Sequence, residues 1–112
     1  MIPTFHESER IYRVDKFVVP SHALDEFIDK VQQTHSALKT VEGFIQDFIL
    51  EQADGSGEFN IVTIVIWENA TSIEKARQVV KAKHEAMNLD AREMYARLGI
   101  KANIATYKRR EA

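Results

Sequence analysis

The sequence predicts an α+β fold with the element order βαββαβ, and three observations carry that prediction. Phe59-Asn60-Ile61-Val62-Thr63-Ile64-Val65-Ile66-Trp67 is β-branched or aromatic almost throughout, which suits a pleated strand. The stretches after Pro20 and after Trp67 instead repeat apolar residues at helical spacing. Asp54-Gly55-Ser56-Gly57 is the best turn signal in the chain and joins two strands as a hairpin. At 112 residues the chain has room for one domain and one modest core.

Each element follows in order. Residues 1–9 read as a flexible leader. Arg10 to Val19 forms the first strand, with Tyr12, Val14 and Val18 on one face. Arg13, Asp15 and Lys16 put three charges into it, which reads as an edge or a dimer rim. Pro20-Ser21 breaks the strand, and Ser21 is the expected N-cap. A helix then runs to about Thr40 on a stripe of Leu24, Phe27, Ile28, Val31 and Leu38, interrupted by His35. Gly43 ends the turn. Phe44 to Gln52 forms the second strand, with Phe44, Phe48 and Leu50 on one face and Ile45 and Ile49 on the other. After the third strand, Thr71 and Glu74 have the spacing of a capping box. A long helix runs to about Leu98, and Asn88-Leu89-Asp90 is where it can break. Its stripe includes Ile73, Ala76, Val80, His84, Met94 and Leu98. Gly99 stops it, and Ile100 to Lys108 forms the last strand before a charged tail at 109–112.

This order is that of a ferredoxin-like fold, an antiparallel four-stranded sheet with two helices on one face. The third strand is apolar on both faces, so both sides of the sheet need cover. The helices cover one side only. A second copy, packed through the open face by two-fold symmetry, is the expected cover for Val62, Ile64 and Ile66.

Composition excludes several functions. A net charge of -2 gives no basic surplus for nucleic acid. No cysteine means no disulfide, thiolate metal site or thiol nucleophile. No apolar run approaches the roughly 20 residues of a membrane helix, and the N-terminal residues lack an export signal, so a cytoplasmic protein is expected. Neither HExxH nor a glycine-rich phosphate loop occurs, so no metal or cofactor is expected.

The βαββαβ order, Gly43-Phe44 opening the second strand, and Ile64-Val65-Ile66-Trp67-Glu68-Asn69 followed by a helix together resemble the antibiotic biosynthesis monooxygenase-like family. The resemblance covers about residues 10–108. It implies a dimeric α/β barrel with a cavity between each sheet and its helices. Some members are cofactor-independent oxygenases of aromatic phenols, and others degrade haem. The oxygenases carry an Asn on the third strand where this chain has Thr63. The haem degraders use a first-strand Asn and an early second-helix His, neither of which occurs here; only Trp67 matches their set.

The candidate site follows from these readings. His35 and His84 both interrupt apolar stripes that face the same side of the sheet, and Thr63 and Trp67 share one strand face. A histidine titrates near neutrality and is a suitable base for a phenolic proton, so His84 and His35 are the candidate catalytic residues. Trp67 would stack on a substrate and Thr63 would hydrogen-bond it. Tyr107 and Asn103, on one face of the last strand, would orient a ligand hydroxyl. The plainer alternative makes each of these an ordinary half-buried residue. The expected function is then cofactor-independent oxygenation of a phenolic small molecule; the alternative is a non-catalytic small-molecule-binding or stress-response barrel.

Overall fold

The computed structural model describes residues 9–110. Apart from Glu9, the leader expected over 1–9 lies outside the described residues, as do the last two residues of the tail. The elements are β1 (Ile11–Val18), α1 (Leu24–Leu38), β2 (Phe44–Glu51), β3 (Ile61–Trp67), α2 (Ala70–Ala86), α3 (Ala91–Leu98) and β4 (Lys101–Tyr107). The sheet order is β2-β3-β1-β4, every pair antiparallel. The fold is α+β and ferredoxin-like, with the most β-prone segment, β3, next to β1 at the centre.

Several helix ends differ from expectation. Ser21 does not cap α1; it opens a short 3₁₀ turn, Ser21–Ala23, that leads into the helix. Asn69, not Thr71, caps α2, its side-chain oxygen accepting the Ser72 amide at 3.2 Å. Asparagine is as good a cap as any residue, and its position one before the helix lets it reach that amide. The long second helix does break: Asn88 adopts positive φ, and Asp90 caps a separate α3 through the Glu93 amide. Gly99 closes α3 in the left-handed conformation, as a C-terminal glycine can without steric cost. Gly43, also at positive φ, is needed for a second reason. A Cβ there would run into the Ser72 side chain, so only glycine lets the start of β2 reach the start of α2.

The helix face of the sheet carries two separate apolar clusters. Phe17, Val19, Phe27, Ile61, Met94, Leu98 and Ile100 form one, at the α3 end. Leu38, Val41, Val65, Trp67, Ile73 and Ala76 form the other. Phe17 meets Phe27 edge to face at 4.8 Å, and Phe44 meets Trp67 likewise at 5.8 Å, both favoured ring geometries.

Between Phe44 and Gln46 the register slips. Phe44 pairs with Trp67 and Gln46 with the very next residue back, Ile66. This β-bulge inserts Ile45 and inverts the alternation that plain periodicity predicts. Phe44 therefore lies on the helix side, not with Phe48 and Leu50. Those two pair with Ile64 and Val62 on the open face, where they are 41% and 46% exposed.

Candidate functional site

Between the two apolar clusters the floor of the helix face turns polar. Paired residues of antiparallel strands point to the same side. The register sets Arg13 beside Val65 and Asp15 beside Thr63 on the central strands, and Asp47 on the far side of Val65. Above this floor, α1 and α2 leave a cavity of about 370 Å³. Its walls include Arg13, Asp15, His35, Thr63, Trp67 and His84. Four of the residues expected to form a site thus share one space: His35, His84, Thr63 and Trp67.

Asn103 and Tyr107 do not join them. Asn103 pairs with Lys16 and Tyr107 with Tyr12, which places both on the open face of the sheet, and Tyr107 is 45% exposed there. The residue that β4 contributes to the cavity is Ile104, opposite Asp15. Arg13 and Asp15 are corrected in the other direction. They are wall residues of the cavity, not a rim; only Lys16 faces away. Their position two and four residues before Phe17 was the available signal, since Phe17 shares their face and belongs to the core.

The polar side chains are ordered by one another. His35 is buried, and its Nδ1 lies 3.0 Å from Asp47 Oδ2. With the carboxylate as acceptor, Nδ1 carries the proton and Nε2 is left as the basic nitrogen. Lys39 Nζ approaches the other Asp47 oxygen at 3.9 Å. Arg13 donates from Nε to Asp15 Oδ1 at 2.8 Å. Burial pushes the Asp15 carboxyl above the usual carboxylate range, and Arg13 pulls it partly back. Tyr95, also on the wall, is raised by burial and then by the Asp15 charge. His84 shares a hydrogen bond of 3.1 Å between its Nε2 and Thr34 Oγ1, which ties α2 to α1. Burial lowers its pKa, favouring the neutral ring. Trp67 is 2% exposed and forms an apolar wall. The Thr63 hydroxyl has no hydrogen bond within the described residues and faces the cavity.

The sequence profile of the antibiotic biosynthesis monooxygenase family matches residues 10–84. The chain belongs to that family. No curated protein matches it in sequence. Among solved structures it is similar to SnoaB, a cofactor-independent oxygenase from Streptomyces nogalater. That likeness has a TM-score of 0.68 at 16% identity, over 93% of this chain and 96% of the other. A conserved protein from Methanosarcina mazei gives a TM-score of 0.67 at 16% identity, over 93% and 96% of the two chains. MhuD, solved with two manganese protoporphyrin IX molecules per active site, gives 0.68 at 14% identity, over 88% and 92%. At such identities the likeness establishes the shared fold.

A haem does not fit the residues of this cavity. His84 holds Thr34 with Nε2, and the space is near the lower end of the range for drug-sized ligands. Among the described residues no three of His, Asp and Glu come together as a metal site.

Proposed function

We propose that this protein is a cofactor-independent monooxygenase of a phenolic aromatic held between the sheet and its helices. The observation that carries the reading is the buried His35 on the wall of a cavity that Trp67 also lines, held from behind by Asp47 at 3.0 Å. An aspartate holding one ring nitrogen orients the other as a base and stabilises the imidazolium that forms. The phenol loses its proton to His35 Nε2. The resulting electron-rich phenolate transfers an electron to dioxygen, and the radical pair joins into a C–O bond. The peroxide takes the proton back from His35. The ring C–H proton leaves, the O–O bond breaks, and water departs. The phenol with its ring hydrogen, plus O₂, becomes a quinone plus H₂O, so the substrate supplies both electrons.

The chain would act as a homodimer through the open sheet face. Val14, Val62, Ile64, Ile66, Phe48 and Leu50 form an apolar surface there that α1, α2 and α3 do not cover. Thr63 favours a second reading, because it stands where the resembling oxygenases carry an amide. In that reading the cavity binds a small molecule without turning it over.

A dihydroxynaphthalene under labelled dioxygen separates the two. Quinone should form with one labelled oxygen, and both His35→Ala and Asp47→Asn should slow it about a hundredfold, the scale of a positioned general base. His84→Ala should slow it less, because His84 is engaged with Thr34. Binding with no quinone would favour the second reading. Unchanged turnover in the His35→Ala, His84→Ala double variant would remove the proposed base.

A further inference from the structure

The charge on the cavity wall runs against the charge of the chain. The chain has 15 Lys and Arg against 17 Asp and Glu. Yet the wall takes four of the cations (Arg13, Lys30, Arg77 and Lys81) and one of the acids, Asp15. A cavity lined by one sign of charge, with low-dielectric walls, concentrates ligands of the other sign. The cations are engaged to different degrees. Arg77 is bound to Glu74 on the exposed side of α2, and half-buried Lys30 lies 3.9 Å from exposed Asp29. Lys81 has no ion pair among the described residues. Arg13 uses only Nε, on Asp15, so its two Nη groups make no hydrogen bond among the described residues.

Position points the same way. Arg13 is paired with Val65, and Trp67 lies two residues further along the same face of β3. Two residues of strand span about 7 Å. The long Arg13 side chain can bridge that step to a substituent on the edge of a ring stacked on Trp67. The planar fork of a guanidinium, held at Nε, presents its remaining N–H groups in the geometry a carboxylate accepts. Asp15 meets the guanidinium at Nε only and leaves its Nη edge for a second anion.

We propose that the ligand is an aromatic acid, its ring against Trp67, its carboxylate on the Nη groups of Arg13, and Lys81 drawing it in. This rests on the reading that the cavity takes an aromatic molecule, and adds the anionic group to it. Calorimetric titration with naphthoate and with the neutral naphthamide tests it at low and high salt. Naphthoate should bind about tenfold more tightly, the scale of charge-assisted hydrogen bonds to one group. Arg13→Gln should abolish the preference. Lys81→Gln, at an exposed site, should weaken naphthoate about threefold at low salt and little at high salt, where the attraction is screened. Equal affinity of the wild type for both compounds overturns the proposal and leaves the aromatic reading standing. Preference retained in a folded Arg13→Gln overturns it as well. If that variant does not fold, the wild-type preference and the salt dependence of Lys81→Gln decide. Binding of neither compound overturns both readings.

Discussion

On its helix side the sheet places Arg13, Asp15, Thr63 and Asp47 in the middle of the floor, while the same three strands turn Val14, Val62, Ile64 and Phe48 to the other side. The covered face is thus polar at its centre, and the face that α1, α2 and α3 leave open is apolar. A simple core would show the reverse. Burying polar groups is costly unless each finds a partner. Here Arg13 holds Asp15, Asp47 holds His35, and Thr34 holds His84. Thr63 is the exception: its hydroxyl opens onto the cavity, and no fully enclosed side-chain nitrogen or oxygen among the described residues lacks a partner. The covered face therefore keeps a polar interior, flanked by the two apolar clusters. The centre of the open face has the apolar composition of an interface core.

The largest expected effect separates the clusters from the open face. Phe27 is 1% exposed in the α3-end cluster, and Phe27→Ala should cost about 3–5 kcal/mol in denaturant unfolding, transfer and cavity terms together. Phe48→Ala, on the open face, should cost the protomer far less but lower the concentration-dependent part of stability that dimerisation adds. Equal losses at both positions would mean the two faces are not distinct. The next effect concerns the open face alone. Ile64→Lys sets a charge at its centre and should turn the proposed dimer into a folded monomer in light scattering, with far-UV circular dichroism unchanged. A dimer that persists would place the interface elsewhere. The smallest effect is on pH. Burial holds His84 below its ordinary value of 6.5, so the unfolded chain takes up this proton first. Its contribution to stability is complete above about pH 6.5 and is lost as pH falls through the interval beneath it. His84→Gln should flatten that part of the stability profile, measured by urea unfolding at a series of pH values.

Much of this architecture can be read in the chain, and the unread parts share one physical cause. The β3 run, the Asp54–Gly57 turn, the stop at Gly99 and the weak point at Asn88 rest on local preferences, and each is where the sequence predicts. Alternation along β3 also sorts Thr63 and Trp67 from Val62, Ile64 and Ile66. Alternation fixes phase within one strand, however, and not between strands. Asn103 and Tyr107 share a face of β4, but only the pairing of β4 with β1 decides which face that is. The same limit hid Arg13 and Asp15, whose charges suggest a surface until Phe17 anchors their side to the core. Asp47 was harder still, because β2 changes phase within itself. The helix caps were missed for a milder reason: Ser21, Thr71 and Asn69 are all acceptable caps, and a shift of two residues decides among them.

The extra residue in β2 has a consequence for how this strand can change over time. With strict alternation, Phe44 and Asp47 would stand on opposite sides, so a strand that stacked on Trp67 would have to turn its acid away from His35. Ile45 gives one residue of slack and lets both demands be met. Deleting it would not merely shorten β2. It would force a choice between the Phe44–Trp67 ring contact and the Asp47–His35 hydrogen bond. The exposed turn at Asp54–Gly57, a few residues on, takes part in neither contact.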